Sequence, residues 1–431
     1  MEINSVLISV ITLCILCLLR VNVLFSLMIS AIIAGLCAKM SISHIMELFI
    51  SGMGQNSETA LSYILLGALA AAISHTGLAS ILSIKIANII KNNKYMLLGI
   101  LIIISILSQN LIPVHIAFIP ILIPPLLSLM NKLKLDRRAV ACSLAFGLKA
   151  PYIALPLGFG LIFQGLIADN MTQNGIKIAK TDIWHYSWIL GLSMFIALLV
   201  AIFVSYRKPR EYKDIEIKCE NVDTKLEHKH YITLLGAVTT LVVQLISGSL
   251  PLGALIGLAV IFGFRAVPHR KMDFLINEGV ILMGYIAFVM LVCAGFALVL
   301  KETNSIDSLV NSILPYIQNS KILASIAMLL IGLIVTIGIG SSFGTIPILA
   351  VLFIPLCTKL GFSMPSIVIL LSAAAALGDA GSPASDTTLG PTAGLNADNQ
   401  HNHIKDTCIP TFIHYNTALI IGALIAVLIF N

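Results

Sequence analysis

The sequence predicts an all-α polytopic membrane protein of two inverted-topology repeats, with broken helices or re-entrant hairpins meeting near the midplane. Three observations carry that expectation. Of 431 residues, 58% are hydrophobic and 11% charged, with mean hydropathy +0.99. Soluble domains carry about 25% charged residues, so no soluble core could hide this much apolar surface. Apolar runs of the roughly 17–25 residues that cross a bilayer recur along the whole chain. Finally, features of the first half return in the second at an offset near 227.

Taken in order, the first half offers runs near 4–20, 22–38, 57–78, 95–112 and 114–130, an interrupted run at 137–168, and one at 186–206. The N-terminal run lacks the basic region and small-residue cleavage site of a signal peptide, so it reads as a first crossing that is kept. A charged segment, 207–230, follows. The second half offers 231–247, 249–265, 279–300, 322–340, 343–358, an interrupted run at 364–390, and 409–430. The expected organisation is a first repeat at 1–206, a cytoplasmic linker at 207–230 and a second repeat at 231–431. At the 227 offset Lys94 meets Lys321, Pro120 meets Pro347 and Lys132 meets Lys359; near the breaks the register drifts to 232, where Pro151 meets Pro383.

Charge tests the inversion. Seven crossings per half is an odd number, so the two halves insert with opposite orientation. With 207–230 placed in the cytoplasm, inside loops hold 19 of the 26 Lys and Arg residues and outside loops hold 6; Lys149 completes the set. That is the asymmetry of the positive-inside rule. Treating 95–130 and 322–358 as re-entrant hairpins leaves five spans per half and the same parity. No basic patch is interleaved with aromatics, so the net charge of +6 speaks of topology and not of nucleic acid. Among the eight cysteines, Cys14 and Cys17 form a CxxC pattern inside an apolar run, which reads as small-residue packing.

The stretch 378–394, GDAGSPASDTTLGPTAG, organises the rest. It carries Asp379 and Asp386 among Ser382, Ser385, Thr387 and Thr388, with glycines and prolines that break a helix. Polar irregular backbone at membrane depth is tolerated only where it lines a cavity or is buried in protein, and ionisable residues there mark function by default. A plain extramembrane loop is the competing reading. Further breaks fall at 108–115, with Asn110 and His115, at 149–160, with Lys149 and Pro151, and at 338–347, with Ser341, Ser342 and Thr345. Four breaks in two inverted repeats would converge on a pseudo-two-fold axis, the layout in which secondary transporters bind substrate and coupling ion. A small desolvated cation needs hard oxygen ligands, and Asp379 with Ser341, Ser342 and Thr345 could hold Na+.

Other polar residues have plainer readings. Lys149 stands 11 residues beyond Arg138, about 16 Å along a helix, which favours a paired or site-lining role over snorkelling. His115 reads equally as a relay or a packing histidine. Glu58, beside Gln55 and Asn56, reads as an interfacial cap, as does Glu278. Trp184, Tyr186 and Trp188 mark a membrane boundary, Asp307 an outer surface helix, and the histidines of 401–403 a loop.

The residues GDAGSPASDTTLGPTAGLN and GSSFGTIPILAVLFIP resemble the sodium–proton antiporter family of the ion-transporter superfamily, and within it an NhaC-like bacterial branch often labelled amino-acid permeases. The resemblance covers essentially the whole chain. It implies two inverted repeats, an elevator-like or rocking cycle, and a site lined by Asp379, Ser382, Ser385, Asp386, Thr387, Thr388, Ser341, Ser342 and Thr345. Lys149 departs from a pure cation exchanger, and suits either a counter-ion for Asp379 or a clamp for a solute carboxylate.

The expected function is secondary active transport in a bacterial inner membrane, Na+/H+ antiport first and cation-coupled uptake of an amino acid or small carboxylate second. The partners are then an ion or small solute and the lipid bilayer, with no nucleic acid. No cofactor is expected beyond Na+ and H+ as coupling ions. Oligomeric state is left open, a homodimer included. A passive channel would need a continuous polar pore. An enzyme would need a metal set or a nucleophile–base pair; GSSFG fits GxSxG in form but lies between apolar helices, not on the strand-to-helix turn that motif requires.

Overall fold

The computed structural model describes residues 4–19, 21–78, 81, 93–110, 119, 122–213, 225–317, 320–383 and 385–431. The described chain is helical throughout. In the first half α1 (Ser5–Leu18) and α2 (Val23–Cys37) precede α3 (Ile42–Met53) and α4 (Ser57–His75). A 3₁₀ turn at Gly54–Asn56 joins the last two into one span, Ile42–His75. Then come α5 (Lys94–Asn110), α6 (Leu127–Lys132), α7 (Arg137–Ala154), α8 (Phe159–Gln173) and α9 (Trp184–Val200). The second half holds α10 (His228–Ser247), α11 (Leu250–Gly263), α12 (Met272–Glu302), α13 (Ile306–Ile317), α14 (Lys321–Ile339), α15 (Ser342–Lys359), α16 (Met364–Ala376), α17 (Asp386–Leu395) and α18 (Ile409–Phe430). Side-chain oxygens of Asn4, Asn22, Ser41, Asp136, Ser249, Ser320, Ser341, Ser363 and Ser385 accept from the first free amides of their helices. Such caps satisfy donors that lipid cannot.

The offset of 227 reappears in the helix starts. It carries Ile42 to His269, where the matching 34-residue span begins, Lys94 to Lys321, Arg137 to Met364 and Phe159 to Asp386. The drift to 232 is therefore not a feature of the helices, which keep register through the breaks. Packing obeys the same relation. A Cβ on Gly52 would meet Ala294 O and Gly295 Cα at 2.9 Å; a Cβ on Gly279, its counterpart, would meet Gly67 C at 2.8 Å and Ala68 Cα at 2.7 Å, the counterparts of those partners. Residue i touches j and j touches i, the mark of a two-fold contact. As numbering rises along one span it falls along the other, so the spans are antiparallel and the axis lies across them. For helices that cross a bilayer, that axis lies in the membrane plane, which is inverted topology.

Six helices among the described residues are long and apolar enough to cross a membrane, and α7 with α8 makes a seventh, bent by 44°. The run at 322–358 returns to the face on which it starts. Lys321 donates to Gly361 O at 2.7 Å, and Asn431 Oδ1 accepts from Lys321 at 3.4 Å and from the Ser363 amide at 2.8 Å. Both ends of the α14–α15 pair therefore sit on one face, and the pair leaves the parity of the half unchanged. In the first half Lys94 and Lys134 line one crevice, which returns that segment to its starting face as well. The spans expected at 57–78 and 279–300 are longer, Ile42–His75 and His269–Glu302. Glu58 and Glu278 consequently do not begin the spans that they were expected to cap: Glu58 opens α4 behind the internal turn, and Glu278 lies inside α12.

Candidate functional site

The second-repeat break forms because α16 cannot continue. Leu377 turns extended, Gly378 takes φ +79° and Gly381 φ +100°, a region that costs other residues strain. Gly378 is also pressed against α14, where a Cβ would come within 2.6 Å of the Ile337 amide nitrogen. Asn416 of α18 braces the unwound backbone from behind: its Oδ1 accepts from the Gly378 amide at 2.9 Å and its Nδ2 donates to Ala380 O at 2.9 Å. Ser385 then caps α17, which begins at Asp386.

Asp379 hangs from this break, 3% exposed, with both carboxylate oxygens occupied. Ser385 Oγ donates to Oδ1. Oδ2 receives Lys149 Nζ at 2.5 Å, Ser342 Oγ at 2.5 Å and the Tyr152 hydroxyl at 3.3 Å. Lys149 also donates to Ser342 Oγ at 3.1 Å. Lys149 is 1% exposed; two charges so far from water persist only when paired and hydrogen-bonded. The group joins α7 of the first repeat to the 378–385 break and to the start of α15. Lys149 is not itself in a break, as its sequence context suggested: α7 runs helically through Pro151 to Ala154, and the interruption is at residues 155–158.

The remaining expected residues divide. Thr387 Oγ1 shares a 2.8 Å hydrogen bond with Ser385 Oγ. Thr388 Oγ1 donates to Ser382 O and Ser385 O, tying the turn together. Ser382 is buried in the same turn and donates its amide to Asp379 O at 3.2 Å. Asp386, half-buried, lies near Ser385 Oγ at 3.4 Å and faces a cavity. Ser341 lines that cavity and caps α15. Thr345 does not join the carboxylate group, because its hydroxyl donates to the carbonyls of Ser341 and Ser342. His115 and the Asn110 side chain lie outside the described residues. His401 and His403 bond Thr407 and Thr392.

Three further groups escaped the sequence reading. Tyr152 looked like packing in an apolar run. Asn416 was legible only as a lone amide within α18. Gln109 lies one residue from an expected site residue; it is 2% exposed, its Oε1 has no hydrogen-bond partner among the described residues, and it faces the cavity. That cavity, of ≈ 340 Å³, brings Gln109, Ser341, Asp379, Asp386 and Thr387 against an apolar wall of Leu282, Ile286 and Val289. Its size falls within the roughly 300–1,000 Å³ of small-molecule sites. An unmet buried acceptor costs about 1–3 kcal/mol, which a bound cation or N–H donor would recover.

Comparison with known proteins places this geometry. The sequence profile of the Na+/H+ antiporter family matches residues 143–427, and that of a second Na+-H+ antiporter family matches 4–90. An uncharacterized membrane protein of Vibrio parahaemolyticus is 46% identical, over 99% of this chain and 100% of its own. The Bacillus subtilis protein named "Putative amino acid transporter YuiF" is 44% identical over the same shares. Among solved structures, the Alcanivorax borkumensis YdaH transporter, described as having an unusual topology, superposes with TM-score 0.61 at 11% identity, covering 90% of this chain and 88% of that one. Neisseria gonorrhoeae MtrF, described with a class of antimetabolite efflux pumps, superposes at 0.57 with 15% identity, covering 90% and 83%. At such identities the two structures speak for the fold alone. A matching profile over two thirds of the chain, full-length relatives and a shared helical architecture make this chain a member of the Na+/H+ antiporter family.

Proposed function

We propose that this protein is a secondary active transporter of the bacterial inner membrane that exchanges Na+ for H+ at Asp379. The buried Lys149–Asp379 pair, held between the two repeats, is the observation that supports the reading most. A cation reaching Oδ2 must displace the Lys149 ammonium, so ion pair and cation occupancy are alternatives. A proton on the carboxylate likewise excludes the cation, and that exclusion is the requirement of exchange. Ser342, Ser385 and Tyr152 supply oxygens around the same carboxylate, and Gln109, Ser341 and Asp386 line the approach.

The cavity volume favours a second reading. Space of ≈ 340 Å³ exceeds what a bare cation needs, and the named relative of Bacillus subtilis points to amino acids. In that reading Lys149 engages a solute carboxylate while Asp386 and Gln109 receive its ammonium group, with Na+ or H+ as the coupling ion.

The test is flux in proteoliposomes under imposed gradients, with ²²Na+ and radiolabelled amino acids. Asp379→Asn and Asp386→Asn should each abolish coupled flux in protein that remains folded and monodisperse. Wild-type flux from Asp379→Asn would remove Asp379 from the mechanism.

A further inference from the structure

The repeat relation extends to the opposite face of the molecule. At the 227 offset Leu282, Tyr285, Ile286 and Val289, which wall the large cavity, correspond to Gln55, Glu58, Thr59 and Ser62. Those four line a separate, narrow cleft of ≈ 70 Å³. The cleft also reaches Asp169, Lys180 and the turn residue Gly248, on the side that the charge distribution puts outside. Two cavities are thus related by the same two-fold as the helices, one wide and one nearly shut. The spacing i, i+3, i+4, i+7 places the four polar side chains on one face of their span. Glu58 is two residues from Ala60, which lies beside the midpoint between the contact glycines Gly52 and Gly67. It therefore sits near the crossing of the two long spans, yet its side chain is exposed to the cleft. Carboxylates at such depth face water-filled paths.

Five rings cluster beside the large cavity. Tyr63, Tyr152, Phe159, Phe163 and Phe343 form a buried cluster with centroids 5.1–6.0 Å apart. Tyr63, Tyr152 and Phe343 also face the large cavity. Tyr152 and Phe159 stand 227 residues before Asp379 and Asp386. One repeat carries aromatic closure where the other carries carboxylates.

We propose that the narrow cleft is the outer half of the transport path, that the five rings are its closed gate, and that Glu58 draws a cation into it. In inverted-repeat transporters the second face opens as the first closes. The inference rests on secondary transport but not on the identity of the solute.

Thiol labelling tests the path without any solute. In a Cys37→Ser, Cys219→Ser background, Ser62→Cys should react with a membrane-impermeant thiol reagent from outside. Removing the Phe159 ring with Phe159→Ala should speed that reaction about tenfold, the effect of about 1.4 kcal/mol in the gating equilibrium. Reaction from the cytoplasmic face alone, or a rate unchanged by Phe159→Ala and by Phe343→Ala, overturns the gate. Phe159→Leu, which keeps an apolar side chain, serves if the alanine variant does not fold. In proteoliposomes, Glu58→Gln should raise the half-saturating outer ²²Na+ about tenfold, in line with the loss of a charged partner, leave the inner value unchanged, and be partly restored by Glu58→Asp. Equal change on both faces, or none, overturns the role of Glu58. If wild-type protein moves no ²²Na+, the antiport reading fails while the labelling result still decides the gate.

Discussion

Lys149 has two hydrogen-bond partners within one buried group, and its contact with Asp379 at 2.5 Å is the shorter. The two leading functions use that contact differently. In an antiporter Na+ and H+ compete for the carboxylate, and taking away the neighbouring cation favours the proton. Lys149→Gln should then move the pH profile of Na+ exchange to the alkaline side while exchange persists. In a carboxylate permease Lys149 meets the solute, and the same change should weaken solute binding by about 2–5 kcal/mol, as for loss of one member of a buried charge pair; Na+ binding should move much less. Ligand-induced thermal stabilisation of both proteins across pH 6–9, with Na+ and with amino acids, separates the outcomes. A response unaltered toward both ligands would leave Lys149 a structural partner only.

At the scale of elements, α7 is fastened at both ends to the second repeat. Its first residue, Arg137, is fully buried, with NH1 on Leu395 O at 2.8 Å and Asp398 Oδ1 at 2.6 Å, and NH2 on Asp398 Oδ2 at 2.5 Å. Its guanidinium lies 4.3 Å from the Tyr212 ring centre, and Arg210 bonds Asp406 at 2.8 Å. Residues 207–213, after α9, therefore strap the two repeats together on one face. Burial would raise the Asp398 carboxyl, but the Arg137 hydrogen bonds and charge outweigh it and hold it below the usual range. Burial pushes His401 down to about 4, with Asp406 opposing and Arg137 and Arg210 assisting. Both signs agree. Asp398 gives stability above its unfolded pKa that is lost as pH falls through the folded value. His401 is neutral when folded, and the unfolded chain takes up its proton between about 6.5 and 4, so stability falls through that window as well. Thermal unfolding in detergent should show Tm falling from pH 7 to pH 4.5. Asp398→Asn at pH 7 should cost about 3–5 kcal/mol by leaving Arg137 buried without its partner. A Tm that ignores pH over this range would mean the strap carries little of the stability.

At the scale of the molecule, the repeat was legible because helix starts are set by local signals. Lys94 and Lys321, or the capping serines Ser41, Ser249 and Ser363, occur where they do whatever packs above them. The Lys149–Asp379 contact was legible as well, since a lysine so far along an apolar helix needs an anion. Span lengths were less so, because Glu58 and Glu278 interrupt the apolar windows of two helices that continue past them, one lining a cleft and the other on a helix of 31 residues. The Arg137–Asp398 pair and the aromatic gate were invisible, being contacts of 261 residues' separation in one case and ordinary apolar composition in the other. Orientation in the membrane follows from the whole charge distribution joined to the strap. Arg210 and Lys213 bond Asp406 and Gln400, so the linker and the 396–407 loop share a face. Its excess of Lys and Arg is what the positive-inside rule expects of a cytoplasmic face. The turn near residue 175 ends α8 after a bent crossing that starts at Arg137 on that face. Reporter tags at residue 220 and in the 391–407 loop should therefore both register in the cytoplasm, and one at 175 outside. If 220 and 175 report the same side, neither the α7–α8 pair nor α9, which leads from 175 back to the linker, crosses the membrane, and the inverted-repeat model is lost.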